Sequence, residues 1–184
     1  HSPVIVSFCG SDLLGEKWPG RVRNAMAKFG VTASIGAARR ATGVIIKSRN
    51  LLDALPEDKR PDKICIIPNG IDLDRFKPLD RDECRQKLGW DRRKFHVVFP
   101  FSGTPTKRPE LARAAVNSLE QLGLLSEIHQ LQAVPHAEVP IWLNACDSLL
   151  LTSVHEGSPN IVKEALACDV PVVSVDVGDV TERL

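Results

Sequence analysis

Short apolar runs alternate with amphipathic stretches along most of the 184-residue chain. Runs rich in valine, isoleucine and leucine predict buried strands, and apolar positions three and four residues apart predict helices. This alternation indicates an α/β protein with parallel sheets. The predicted strands are residues 4–8, 44–46, 64–67, 96–99, 128–131, 148–152 and 170–175. The predicted helices are residues 21–42 (as one helix, or as two that meet near Gly30), 50–54, 81–88, 109–122, 136–145 and 159–167.

The strand–helix–strand pattern over residues 148–175 carries the clearest chemical signal. Ser158 is a favoured N-cap residue, and Pro159 suits the first helical position. A helix N-terminus that follows a parallel strand attracts anions, because it presents unpaired N–H groups and the positive end of the helix dipole. Glu156 lies just before this helix and Glu164 lies within it. The pattern therefore predicts a site for a phosphorylated ligand that carries hydroxyl groups.

A helical wheel divides this predicted helix between the sheet and the solvent. Lys163 points away from the sheet, whereas Asn160 and Glu164 lie one turn apart at the rim of the apolar face, where they can reach a cleft. From the spacing alone, an ordinary amphipathic helix with solvated charges is as good an interpretation as a ligand site. The face predicted to pack on the sheet consists of Ile161, Val162, Ala165 and Leu166.

A second candidate loop, residues 101–108, joins a predicted buried strand to a predicted helix. This is the position at which α/β sheets bind their ligands. Lys107 and Arg108 can offer positive charge to a diphosphate. The alternative is that both side chains are solvated loop cations.

Glu156 and Glu164 are separated by seven residues and are followed by Ala-Leu-Ala-Cys-Asp-Val-Pro-Val-Val. This arrangement resembles the donor-site signature of the retaining family-4 glycosyltransferases. Residues 4–12, 66–78 and 97–109 resemble further segments of that family, in the family's order. The resemblance implies an α/β protein of the GT-B type, with two Rossmann-like parallel-sheet domains that are both incomplete in this chain.

The resemblance also implies a division into domains. Residues 1–76 match the C-terminal part of the N-terminal, acceptor-side domain and the linker. Residues 77–184 match the C-terminal domain, which binds the nucleotide-sugar donor, and stop short of its end. Because two complete domains of this kind need ~150 residues or more each, we expect the chain to be a fragment.

The roles of individual residues follow from the same resemblance. The family transfers a sugar from a nucleotide-diphosphate donor to a glycan or lipid-linked acceptor, with retention at the anomeric carbon. It needs no metal and no further cofactor. Glu156 is then the catalytic residue that contacts the donor sugar, and Glu164 holds the ribose. Lys107 matches the family's lysine for the diphosphate, and Ser158, Pro159 and Asn160 complete the donor contacts. Arg108 is a further candidate: either it compensates for the arginine that the family has at the position of Ser102, or the diphosphate is bound more weakly than in the family.

Several positions depart from the family pattern or extend it. Ser102 stands where the family usually has an arginine, and Cys9 where it usually has a histidine. A free cysteine after a strand is more often a buried small apolar residue than a reactive one. Gly10 is a further donor-site candidate, expected to allow close backbone approach or a positive φ. Val134 is expected to border the base through its backbone. Asp169 replaces a helix-ending glycine, and aspartate tolerates the left-handed conformation.

The composition narrows the function further. A net charge of +1 argues against the broad basic surface that nucleic-acid binding normally needs. No apolar run reaches the ~18–20 residues that a membrane-spanning helix needs. Five dispersed cysteines predict reduced thiols, a cytoplasmic location and no zinc site, and the five histidines show no metal-ligand spacing. Peripheral association with the inner face of the membrane would rest on segments outside this sequence.

Two other functions stay open from the sequence. A GT-B phosphorylase or epimerase would keep the fold and change the reaction. A catalytically silent, glycosyltransferase-like binding scaffold would account for the departures at Cys9 and Ser102. The retained Glu156, Glu164 and Lys107 favour the transferase.

Overall fold

The structure is a computed structural model, and it describes residues 2–15 and 21–184. These residues form two compact units, each built on a parallel sheet. Unit 1 contains the described residues up to Asn69 together with His155–Pro159 and Asp176–Leu184. Unit 2 contains Gly70–Val154 and Asn160–Val175.

Unit 1 alternates strands and helices. Its three strands are all parallel and lie in the order β1-β2-β3, with Val6 beside Val44 and Val44 beside Ile64. A short 3-10 turn, Glu57–Lys59, precedes the last of them. The elements are β1 (Ile5–Phe8), α1 (Ser11–Leu14), α2 (Arg21–Arg40), β2 (Gly43–Ile46), α3 (Arg49–Ala54) and β3 (Ile64–Ile66).

Apolar side chains from the strands and from all three helices form the core of unit 1. Helix α2 continues through Gly30, so of the two alternatives left by the sequence, one helix or two, the structure has one. Helix α1 is a single turn that follows β1, and the sequence predicted no helix there. The buried core residues are Phe8, Leu13, Ala38, Val44, Ile46, Leu51 and Leu55.

Unit 2 has a four-stranded parallel sheet in the order β5-β4-β6-β7. Its first helix is capped at both ends: the Asp80 carboxylate accepts from the Glu83 N–H at 2.8 Å, and Gly89 ends the helix at φ 70°. The elements are α4 (Arg81–Leu88), β4 (Phe95–Pro100), α5 (Pro109–Gln121), β5 (Ser126–Leu131), α6 (Val139–Ala145), β6 (Ser148–Leu151), α7 (Asn160–Ala167) and β7 (Val172–Ser174).

Buried residues hold the sheet of unit 2 to its helices. Phe99 on β4 packs with apolar side chains of α5 and β6. Buried Arg85 on α4 donates from Nε to the Ala145 carbonyl oxygen at 2.9 Å and from Nη2 to Asp147 at 2.6 Å, which ties α4 to the end of α6. The strands predicted from the sequence are all present, with boundaries that differ by one or two residues.

Helix α7 corrects the sequence analysis in two ways. It begins at Asn160, not at Pro159. Lys163, predicted to point away, is only 8% exposed, and Leu166, predicted to pack on the sheet, is 37% exposed. The wheel assumed one buried face, whereas four consecutive residues, 162–165, are buried. Because successive residues point about 100° apart, α7 is enclosed over most of its circumference.

Among the described residues, no helix is both long and apolar enough to cross a membrane.

Candidate functional site

The loop between β4 and α5 leaves the carboxyl end of the unit 2 sheet, where an α/β fold places its ligands. Its hydroxyl groups form a chain: Ser102 Oγ lies 3.1 Å from Thr104 Oγ1, which lies 2.9 Å from Thr106 Oγ1. Lys107 follows directly, at the end of a short 3-10 turn, and is half-buried. The loop therefore presents several hydroxyls and a cation on one short segment.

This loop is fixed by the residues that follow β6. Thr152 Oγ1 donates to the backbone carbonyl oxygens of Lys107 at 2.7 Å and Arg108 at 3.1 Å, and the Val154 N–H donates to Thr106 at 2.8 Å. In return, Arg108 donates from Nε to the Thr152 carbonyl oxygen at 2.5 Å and from Nη2 to that of Ser153 at 3.3 Å. The guanidinium of Arg108 thus holds the loop in place while keeping its charge beside Lys107.

Glu164 lies on α7, and its side chain is only 10% exposed. Its Oε1 lies 3.3 Å from His136 Nε2, and His136 Nδ1 lies 3.0 Å from Arg75 Nη1. Arginine is always a donor, so Nδ1 is the acceptor and Nε2 carries the proton that Glu164 accepts. The ring of Phe76 packs against His136 with centroids 5.4 Å apart. The carboxylate is therefore oriented by a chain of two side chains.

His136 and Arg75 were not predicted from the sequence. His136 follows the loop after β5, and Arg75 precedes α4, so 61 residues separate them in the sequence. No local pattern connects residues so far apart, and only the fold brings them to Glu164. Asn160, one turn before Glu164, is exposed at the first residue of α7.

The segment His155–Pro159, which leads directly into α7, is held within unit 1. The Asn50 side-chain amide donates to the Glu156 carbonyl oxygen at 2.8 Å. Ser158 Oγ donates to Asp179 Oδ2 at 2.8 Å, and Arg183 Nε donates to the same oxygen at 2.7 Å. The hydroxyl predicted to cap the helix therefore binds a buried carboxylate, and Pro159 beside it is buried as well.

Gly157 is the position in this segment at which a side chain cannot be accommodated. A Cβ there would overlap the carbonyl oxygen of Cys9 and lie 2.9 Å from its carbonyl carbon. The sequence predicted this restriction at Gly10, but a Cβ at Gly10 would lie 3.6 Å from the Gly157 nitrogen, an ordinary contact. The φ of Gly10, 161°, also lies outside the left-handed region that favours glycine. The backbones of Cys9 and Gly157 do approach each other closely, and it is Gly157, not Gly10, that must be glycine.

Two further predicted positions are placed as follows. Cys9 is exposed, which contradicts the prediction of a buried apolar cysteine. It follows the last residue of β1, and both its N–H and that of Gly10 donate to the Asp12 carboxylate, at 2.9 Å and 2.8 Å. Val134 is half-buried in the loop after β5, next to Ala133, which has φ 55°.

Comparison with known proteins gives consistent matches. The chain is 27% identical to a D-inositol 3-phosphate glycosyltransferase of Pseudarthrobacter chlorophenolicus, over 81% of this chain and 42% of the relative. It is 26% identical to D-inositol 3-phosphate glycosyltransferase 1 of Catenulispora acidiphila, over 81% of this chain and 44% of the relative. The chain thus spans less than half the length of these curated relatives.

Solved structures match the fold. The Anabaena protein Alr3699/HepE, solved with UDP-glucose, superimposes with a TM-score of 0.72 at 20% identity, covering 99% of this chain and 56% of that protein. WaaG, a glycosyltransferase involved in lipopolysaccharide biosynthesis, superimposes with a TM-score of 0.68 at 20% identity, over 89% of this chain and 53% of WaaG. The fold is therefore the GT-B type that the sequence predicted.

A family model completes the comparison. The model described as "Glycosyl transferases group 1" matches residues 85–184, more than half of the chain. The matched range includes the loop with Lys107 and Arg108 as well as Glu156 and Glu164. The chain belongs to the group 1 glycosyltransferase family.

Proposed function

We propose that this chain is part of a retaining glycosyltransferase that takes a sugar from a nucleotide-diphosphate donor. Residues 77–184 supply the donor-binding domain, and residues 1–76 supply part of the acceptor-side domain and the linker. The observation that carries the proposal is Glu164, a nearly buried carboxylate oriented by His136 at 3.3 Å. An acidic side chain held this way is suited to a ligand with neighbouring hydroxyl groups.

Glu164 holds the ribose of the donor. A carboxylate offers about four lone-pair positions, and His136 uses one of them. The remaining capacity can accept hydrogen bonds from two adjacent hydroxyls, as acidic residues do with ribose in other nucleotide sites. Burial makes such bonds stronger than they would be in water. His136 and Arg75 act as positioning residues, because they orient the carboxylate.

The diphosphate is bound at the carboxyl end of the unit 2 sheet. Lys107 supplies the direct positive charge, the N-terminus of α7 at Asn160 supplies unpaired N–H groups, and the hydroxyls of the loop supply further donors. Departure of the nucleoside diphosphate leaves negative charge on its oxygens, and these groups stabilise that charge in the transition state. Arg108 contributes its charge while its Nε and Nη2 hold the loop.

Glu156 is the catalytic residue in this proposal, because it contacts and orients the donor sugar during transfer with retention. Ser158 and Pro159 join it to α7, and the contacts of Ser158 with Asp179 and of Gly157 with the Cys9 carbonyl fix the backbone of this segment. Gly10 and Val134 complete the proposed donor contacts, on the sugar side and at the base.

The acceptor is a glycan or a lipid-linked glycan, and nucleic acid is not a partner. No metal takes part in the transfer, because Lys107 and the helix N-terminus supply the charge stabilisation. Five free cysteines support a cytoplasmic location. Because a structural neighbour was solved with UDP-glucose, UDP is the first nucleotide to test.

The test is calorimetric titration of UDP, GDP and ADP into the chain. Glu164→Gln and Lys107→Met should each weaken binding of the preferred nucleotide by about 10-fold or more, because each removes a hydrogen bond to a charged group. The matched controls are Glu120→Gln and Lys87→Met, which change exposed residues of unit 2 helices and should leave affinity unchanged. His136→Asn should weaken binding less than Glu164→Gln does. Equal affinities for Glu164→Gln and the parent chain would contradict the ribose assignment.

The silent scaffold is the second candidate, and the serine at position 102 and the exposed cysteine at position 9 favour it. It predicts that the longer protein binds the nucleotide but does not consume the sugar donor. Release of nucleoside diphosphate from the donor, lost in Glu156→Gln, would exclude it. Phosphate-dependent release of a sugar phosphate would instead indicate a phosphorylase.

A further inference from the structure

A second group of potential ligands lies in unit 2, near the amino ends of β4 and β5. His96 on β4 is the register partner of Glu127 on β5, and Val98 is the partner of His129. Residues two apart on a strand share a face, so all three polar side chains lie on the same side of the sheet. One ligand atom from each, His96, Glu127 and His129, lies within 4.8 Å of the others.

The two histidine rings are already arranged nitrogen to nitrogen. His96 Nδ1 lies 2.8 Å from His129 Nε2, and His96 Nε2 lies 2.7 Å from the Asp91 carbonyl oxygen. A carbonyl oxygen only accepts, so the His96 proton is on Nε2 and the lone pair of Nδ1 points at His129. Metal-binding histidines characteristically donate their other N–H to a carbonyl or a carboxylate, which fixes the tautomer.

Two tryptophans enclose this histidine pair. The Trp90 ring stacks flat on His129, with centroids 3.6 Å apart and an interplanar angle of 9°. Trp142 meets the same imidazole edge-on, with centroids 6.4 Å apart. His96 is fully buried. The imidazoles are therefore held in one orientation by packing, which is what a preorganised ligand set requires.

We propose that His96, Glu127 and His129 bind one divalent transition-metal ion of the zinc class. Two imidazoles and one carboxylate form a donor set that zinc accepts, with a fourth position left for water. The ion replaces the hydrogen bond between the rings. His129 loses its proton from Nε2 and takes one from water at Nδ1, so that the ring stays neutral and no net proton is released.

The distances require only small movements. A tetrahedral ion with bonds of ~2.1 Å separates its ligand atoms by ~3.4 Å. The imidazole nitrogens, 2.8 Å apart, must open slightly, and the Glu127 carboxylate must turn toward them. Glu127 Oε2 now pairs with Lys94 Nζ at 3.1 Å, but both side chains are about 40% exposed, and a surface pair of this kind resists little.

The ion would act as a structural clamp. In the described part of the chain, β5 is the edge strand of the unit 2 sheet and pairs with β4 alone. The site joins these two strands near their amino ends, whereas the loops with Lys107 and Val134 leave their carboxyl ends. The metal site would therefore be separate from the proposed donor site and independent of the sugar transfer. The sequence predicted no metal site, because His96 and His129 are 33 residues apart and only strand pairing brings them together.

The test uses the whole chain with Cys9→Ser and Cys65→Ser, since exposed thiols would themselves bind zinc. Zn²⁺ is titrated by calorimetry, and Co²⁺ is followed by its d–d absorption and by quenching of tryptophan fluorescence. We expect one ion per chain, strong quenching because Trp90 stacks on a ligand, and a rise in Tm with Zn²⁺.

Variants locate the ion. Glu127→Gln should weaken Zn²⁺ binding by about 10-fold, and His129→Gln by about 100-fold with loss of Co²⁺ quenching. Glu127 is half-exposed, so its variant should fold even if changes at His129 disturb the packing. His155→Gln is the control and should bind like the parent. No saturable binding to the parent, or the same affinity in Glu127→Gln as in the parent, would overturn the proposal.

Discussion

Unit 1 and unit 2 use the same alternation of strand and helix, but the longest helix of unit 1 and helix α6 of unit 2 are buried to very different extents. Helix α2 of unit 1 has 20 residues and buries only Ala38. Helix α6 of unit 2 has seven residues and buries five of them. Because most helical stability in proteins comes from packing of one face, unit 2 should carry more stability per residue than unit 1.

The difference also shows which apolar residues matter. Val22, Met26 and Phe29 on α2 are exposed, although the sequence gives them the same apolar character as core residues. In unit 2, Val97 and Phe99 on β4 are buried against α5. Hydrophobicity alone therefore does not identify the core. The same substitution should change the free energy of unfolding by different amounts in the two units.

The largest contrast should come from two phenylalanines. Phe99 in unit 2 is 1% exposed, and Phe99→Ala should lower the free energy of unfolding by about 3–5 kcal/mol through lost burial and a new cavity. Phe29 in unit 1 is 76% exposed, and Phe29→Ala should change it by less than about 0.5 kcal/mol. Urea denaturation followed by circular dichroism measures both. Similar losses in the two variants would show that α2 is packed in solution.

Two glycines of unit 1 should behave in opposite ways. Gly157→Ala places a Cβ against the Cys9 carbonyl group and should cost about 1–3 kcal/mol through overpacking, with displacement of the segment that contains Glu156. Gly30 lies within α2 with no heavy atom within 4 Å of a Cβ, so Gly30→Ala should stabilise by up to about 1 kcal/mol. Thermal unfolding measures both. A Gly157→Ala chain as stable as the parent would show that the segment can move away from Cys9 at little cost.

The sequence predicted local structure well because periodicity and turn residues are local signals. All seven strands are found, and α5 begins at Pro109 as expected. It failed where the outcome depends on the surroundings of an element. Lys163 is buried because α7 is enclosed on most sides, which a wheel with one buried face cannot represent. The exposure of Cys9 also depends on what surrounds the residue, and its position after a strand does not determine this.

The proposed site residues divide in the same way. Glu156 and Glu164 were proposed from the sequence because they belong to one short pattern with fixed spacing, and Lys107 because it matches a lysine of the family. His136 and Arg75 could not, because neither lies near Glu164 in the sequence and only the fold brings them together. Sequence reasoning therefore finds the residues that a motif contains and misses those that orient them.

Acidification should weaken the sheet of unit 2 through His129. Burial, followed by the electrostatic effect of the neighbouring His96, lowers the pKa of His129 from 6.5 to about 4. The unfolded chain therefore binds more protons than the native chain between these values. Stability from the neutral ring is fully present above pH ~6.5 and is lost as the pH falls toward 4. Allowing for partial solvent exposure, the loss should be about 1–2 kcal/mol.

The measurement is urea denaturation between pH 4 and 7 with a chelator present, compared with His129→Gln, which cannot titrate at this position. The parent should lose stability more steeply than the variant over this interval. Parallel profiles would show that His129 is as accessible to protons in the native chain as in the unfolded chain.

The smallest expected effect concerns backbone conformation within unit 2. Asp169 ends α7 in the left-handed region at φ 57°, and the Val170 N–H donates to the Ala165 carbonyl oxygen at 2.9 Å. Gly89 has the same role at the end of α4, at φ 70°. Since glycine pays no steric penalty there, Asp169→Gly should stabilise by about 0.5–1 kcal/mol, and Gly89→Asp should destabilise by a similar amount. Thermal unfolding measures both. If Asp169→Gly instead lowers the Tm, the Asp169 carboxylate itself stabilises the end of α7. Unit 2 would then depend on side-chain contacts even at an exposed helix end.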